Sequence, residues 1–234
     1  MNKIAIYILI ILVYLGLSKS FAPTELGIIY IPNKHVYNNY FKRAPMSLVL
    51  VDQFSRGFLI KSYFHRYHAV YLFRRSSFYT VKVSKDFYRK NEQNLGMSLF
   101  RRKENDFTST LPLPPGSLYI GDKSFGNWSK NKEGRRVWKL HGAYNGLVKK
   151  FRWFDFRPNK SFYKSLKTNI ENDVPFYGKN QEFGTNGTIT KVAYPHYFQK
   201  KDESPNFKKY LEHYYEKSMK NRGKPQKRKK LMSL

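Results

Sequence analysis

The sequence predicts an α+β fold: a strand-rich single domain of short antiparallel strands with a few helices, including a C-terminal amphipathic helix, followed by a disordered basic tail. Three observations lead there. Short apolar runs bounded by Pro, Gly or Asn recur between residues 27 and 194, as strands and their turns require. Apolar residues make up 41% and aromatics 18%, enough to fill a core and too much for a disordered chain. One stretch, 206–220, repeats its rings and Leu at helical spacing through Phe207, Tyr210, Leu211, Tyr214 and Tyr215. The expected divisions are 1–20 as an export segment, 21–220 as the domain and 221–234 as the tail, with a candidate site region over 111–195.

The elements follow in order. Residues 27–31 read as a strand ended by Pro32, and the continuous apolar run 47–51 as a buried one. Runs 67–74 and 78–83 read as the next two strands, joined through Arg75, Ser76 and Ser77 as a hairpin. In the second of these, Tyr79, Val81 and Val83 share one face. Ser84 is placed to cap a short helix. Leu111 to Gly116 (LPLPPG) is a rigid turn that no regular element crosses. Beyond it, 117–120 and 136–141 read as strands. Residues 161–172 read as an amphipathic helix with Phe162, Leu166 and Ile170 on its apolar side. Residues 187–194 read as a strand after the tight-turn pair Asn186-Gly187.

The N-terminus carries the most specific signal. After Lys3 comes an apolar run over 4–17, then Ser18 and Ser20 at the −3 and −1 positions of a cut before Phe21. That is the layout of a secretory signal peptide. Two alternatives remain open: an uncleaved membrane anchor over 4–18, short against the ~20 apolar residues of a full span, and a buried helix. The expected location is outside the cytoplasm, periplasmic or secreted. There are no cysteines, which excludes disulfides, a thiol nucleophile and Cys-ligated zinc.

Lys and Arg number 44 against 16 Asp and Glu, a net charge of +28. Such a charge draws the chain toward polyanions. Residues 217–230 alone hold eight basic residues and no acid. They form a solvated end or a tether to an anionic polymer or membrane surface.

The densest candidate chemistry lies over 116–158. Aromatic faces stack on sugar rings or bases, and Arg pairs with anionic groups. The expected ligand-binding residues are therefore Trp128, Trp138, Tyr144, Trp153 and Arg157; the bland alternative puts Trp138 and Trp153 in the core. If the groove were catalytic, His141 is the candidate general base, or two of Asp122, Glu133, Asp155 and Glu182 the acid and base of a glycoside hydrolase. His65 and His68 have a metal-ligand spacing only on a helix; on a strand they point to opposite faces. Ser161 and Lys164 match Ser-x-x-Lys without its companion motifs. No metal or cofactor fingerprint is present, so none is expected.

These features point first to an exported envelope protein that binds an anionic glycan such as peptidoglycan or a surface polysaccharide. A cell-wall or polysaccharide hydrolase using the same groove is the alternative. The others are an extracellular nucleic-acid-binding protein and a structural envelope component.

Overall fold

The structure is a computed structural model and describes residues 3–21, 27–57 and 61–202. The chain falls into two units, Met1–Pro195 and His196–Leu234. The predicted helix over 206–220 and the tail over 221–234 lie outside the described residues.

The first unit is α+β, as predicted. It opens with helix α1 (Lys3–Phe21), whose large apolar side chains between Ile4 and Leu15 are exposed. Among the described residues no helix is long and apolar enough to cross a membrane. There follow β1 (Tyr30–Ile31), α2 (Tyr37–Tyr40), β2 (Met46–Arg56), β3 (Ser62–Tyr71), β4 (Ser77–Val83), α3 (Lys85–Lys90), β5 (Ser98–Arg102) and β6 (Thr108–Ser109). The second half holds β7 (Gly126–Lys130), β8 (Arg136–Leu140), α4 (Gly146–Lys150), α5 (Lys160–Glu171) and α6 (Thr188–Ala193). The last helix, α7 (Pro195–Asp202), runs into the second unit.

Six strands form one sheet in the order β1-β4-β3-β2-β5-β6, antiparallel except where β1 joins β4. The apolar run read as a buried strand is the centre of β2, with Leu48, Val49 and Leu50 essentially inaccessible. The predicted hairpin is β3–β4, but β3 stops at Tyr71, so its connection starts earlier than Arg75. The Lys150 ammonium explains the stop. It donates to the carbonyls of Tyr71 and Arg74, both at 3.0 Å, and ties the hairpin end to α4.

One face of the sheet is covered by rings. Tyr37 of α2 lies 5.5 Å from Phe100 and 5.8 Å from Tyr67, and Phe87 of α3 lies 6.0 Å from Tyr37. Ser84 caps α3 as its sequence promised, its Oγ accepting from the Phe87 N–H at 3.1 Å. A second ring cluster, Phe151, Trp153, Phe156, Phe162, Phe176 and Phe183, forms the core of the C-terminal half.

Two predicted strands are corrected. Residues 117–120 form a 3-10 turn, Ser117–Tyr119, not a strand. Gly116 enters it at φ +79°, where only glycine is unstrained, and a Cβ there would stand 2.6 Å from the Trp153 ring. Residues 187–194 form helix α6. The β-branched run Thr188-Ile189-Thr190 favours a strand, yet Thr190 and Ala193, three apart, are the positions it buries. Thr190 stands so close to Gly96 that a Cβ there would lie 2.5 Å from its Oγ1. Packing thus overrides propensity. Helix α5 begins at Lys160, one residue before the predicted start, and is capped by Asn159, whose Oδ1 accepts from the Phe162 N–H at 2.8 Å.

Candidate binding surfaces: a basic trough and an aliphatic cleft

The conspicuous aromatics of the sequence are mostly internal. Trp138 and Trp153 are 1% and 2% exposed, so neither lines a ligand groove. Trp138 is buried because β8 turns it inward against Gly126, whose missing side chain makes room for the indole. Trp153 donates through Nε1 to the Pro115 carbonyl at 2.9 Å, fastening the Pro-rich turn to the core. Trp128 stands opposite Trp138 in the β7–β8 register and is half-buried, 5.1 Å from that ring and 5.7 Å from Tyr163. Tyr144 packs on Phe125 at 5.2 Å, and Arg157 turns back onto the carbonyls of Phe154 and Phe156.

Several of the candidate catalytic groups are engaged with local partners. His141 is exposed, and its Nε2 contacts the Lys123 carbonyl at 3.1 Å rather than an acid. Glu133 is exposed and pairs with Arg135 at 3.0 Å. Glu182 accepts from the Asn180 N–H at 3.0 Å, closing its own loop. Asp155 is exposed on the turn after Trp153. Asp122 accepts from the Ser124 N–H at 3.0 Å, at the edge of a cleft described below. Ser161 meets Lys179 at 2.9 Å rather than Lys164, and both are exposed. His65 and His68 lie on β3 and point to opposite faces, as strand geometry demands. Among the described residues no group of three or more His, Asp or Glu is arranged to hold a metal ion.

These two histidines are instead held neutral. Burial pushes His65 down to about 3; its Nδ1 meets the Tyr67 hydroxyl at 2.8 Å, which meets Tyr37 at 2.7 Å. Burial, with Arg152 and Lys150 nearby, pushes His68 down to about 4. His68 stacks on Phe78 at 4.6 Å.

Of the concave surfaces among the described residues, two combine positive charge with a distinct lining. The first is an open trough of about 880 Å³ where β3 begins and β4 ends. Register builds it: Tyr30 of β1 sits beside Lys82 of β4, and Tyr63 of β3 faces Val83. Lys61, just before β3, and Lys85, at the start of α3, complete a set of three ammonium groups. Among the described residues that line it, none carries a carboxylate. Tyr30 is 49% exposed, and Tyr63 is propped on Tyr88 at 5.0 Å. Lys82 projects here because Val81 and Val83 take the buried face of the strand. Sequence reading missed the trough because its residues come from three separate segments.

The second is a narrower cleft of about 310 Å³ between β5, the 3-10 turn Ser117–Tyr119 and α5. It overlaps the region flagged at 111–195, from which Asp122 is the candidate site residue that reaches it, while Arg101, Lys103, Phe107 and Ser109 come from outside that region. Leu113, Ile120 and Leu166 give it buried aliphatic walls, and Arg101 lies at its base. The Tyr163 ring rests on the backbone of Gly121, at φ +83°, with no room for a Cβ between them.

No protein-family model matches the chain, and comparison with curated proteins and with solved structures gives no significant match.

Proposed function

We propose that this chain is an exported envelope protein that binds an anionic glycan, with peptidoglycan or a surface polysaccharide as the target class. The trough supports this reading: Lys61, Lys82 and Lys85 line it together with Tyr30 and Tyr63. The overall charge of +28 supplies long-range attraction, and the basic run over 217–230 adds a tether. At contact, the ammonium groups pair with the acidic substituents of the glycan, and the exposed Tyr30 face meets a sugar ring. An open trough passes a polymer through, where an enclosed pocket would take a chain end. Binding is preferred to hydrolysis because the hydrogen-bond and ion-pair partners of His141, Glu133 and Glu182 are the Lys123 carbonyl, Arg135 and Asn180, none of them a second candidate acid or base.

The test is retention on purified cell-wall sacculi at moderate salt, comparing the chain with its Lys61→Ser/Lys82→Ser/Lys85→Ser variant. Retention that the variant loses supports the reading. No retention of either protein, or preference for duplex or single-stranded DNA over sacculi, overturns it. Clearing of cell-wall material on a zymogram replaces binding with hydrolysis.

A further inference from the structure

The base of the cleft holds an unusual charge. Arg101 is 3% exposed, and buried guanidinium groups are ordinarily paired with carboxylates. Here the acceptors are neutral: the Ser98 carbonyl and Ser109 Oγ, both at 2.8 Å, and the Leu111 carbonyl at 2.5 Å. Those bonds use three of the five N–H donors of an arginine, and among the described residues no carboxylate pairs with its charge. Burial lowers its pKa to about 9, which still leaves it a cation at neutral pH.

A second observation at the same place is independent of the first. Ser117 lines the cleft, and its Oγ is buried with no hydrogen-bond partner among the described residues. A buried hydroxyl left unsatisfied is destabilising, and a bound acceptor would offset that cost. An anion in this cleft therefore meets a positive base and an idle donor together. The acids that also line the cleft, Asp122 and Glu171, are exposed, and so are Lys103 and Lys167. Water and salt screen those four, whereas the buried guanidinium is screened far less. The walls select the rest of the ligand, since Leu113, Ile120 and Leu166 offer hydrocarbon and no polar group. The volume of about 310 Å³ stands at the small end of ligand sites.

We propose that the cleft over Arg101 binds an aliphatic carboxylic acid, its carboxylate toward Arg101 and Ser117 and its hydrocarbon against Leu113, Ile120 and Leu166. This site is separate from the trough and does not depend on the glycan reading.

Isothermal titration of the full chain with decanoate, 1-decanol and acetate tests it. Two variants accompany the chain. Ile170→Trp crowds the cleft from a position that is 46% exposed, and Ser117→Ala removes the idle hydroxyl. Melting temperatures check that both fold. The expected result is saturable binding of one decanoate per chain, at least tenfold weaker for 1-decanol and for acetate. Ile170→Trp should weaken decanoate at least tenfold, and Ser117→Ala several-fold. Absence of saturable decanoate binding overturns the proposal, as does 1-decanol binding as tightly as decanoate. Decanoate affinity unchanged in Ile170→Trp also overturns it, because the acid would then be held elsewhere, for instance on the exposed apolar face of α1. Should Ile170→Trp fail to fold, unchanged affinity in Ser117→Ala decides against it.

Discussion

The trough and the cleft both present positive charge, yet they present it in opposite ways. In the trough, Lys61 and Lys85 stand exposed at the surface and Lys82 lies half-buried beside the tyrosines, in an open site that solvent and counter-ions reach. In the cleft, one guanidinium is buried beneath aliphatic walls. The first arrangement is weak per contact, additive along a polymer and sensitive to salt. The second is local and takes one small ligand. A single excess of basic residues thus builds two kinds of recognition, and burial rather than charge count separates them.

The largest expected effect tests whether the conspicuous tryptophans are support rather than surface. Trp138→Ala empties a core position and should lower stability by about 3–5 kcal/mol, read as a fall in melting temperature. At a temperature where the variant remains folded, its retention on sacculi should equal that of the unaltered chain. A folded Trp138→Ala protein that loses retention would return the indole to the ligand surface.

Salt separates the two surfaces next. For a polymer as densely charged as DNA, three lysine contacts give a log–log slope of about −3, and a sparser glycan gives less. Polymer affinity should therefore fall on the order of tenfold between about 50 and 200 mM salt. The slope should flatten in the Lys61→Ser/Lys82→Ser/Lys85→Ser variant, while decanoate binding stays nearly constant. Equal salt dependence at both sites would erase the distinction.

Acid acts on the sheet beneath the trough. His65 is about 3 when folded and 6.5 in its ordinary state, so below pH 6.5 the unfolded chain takes a proton that the folded chain refuses. Stability should hold above that pH and fall as the pH drops from 6.5 toward 3. The loss from His65 is about 1.4 kcal/mol per pH unit at most, and His68 adds to it above about 4. Denaturant unfolding at stepped pH checks this, and His65→Gln should make the profile shallower.

The smallest effect is local. Gly121→Ala places a methyl group 2.3 Å from the Tyr163 ring at a φ of +83°, so the ring must move. A cost of about 1–2 kcal/mol is expected, with weaker decanoate binding and unchanged polymer retention.

How much of this was legible in the sequence depends on whether the signal was local. The α+β class, the centre of β2, the alternation in β4 and the Ser84 cap were legible because each is written in a few adjacent residues. Strand β5 escaped notice because Ser98-Leu99-Phe100-Arg101 is buried throughout and shows no alternation. Helix α6 was misread because its β-branched run obscured the spacing by which Thr190 and Ala193 are buried. The candidate site fared similarly. Aromatic and glycine density over 116–158 marked a tightly packed region, but density alone does not tell an indole in a core from one in a groove. The trough is assembled by strand register from residues 30 to 85, and register is a property of the pairing rather than of any one segment.

The account rests on the trough as the seat of polymer binding, and one measurement addresses it most directly. Sacculi are titrated with the chain and with its Lys61→Ser/Lys82→Ser/Lys85→Ser variant at a single moderate salt concentration, after both are shown to melt alike. The account predicts saturable binding of the chain and a loss of about tenfold or more in the variant. Indistinguishable binding curves would contradict it and assign the attraction to the remaining basic surface.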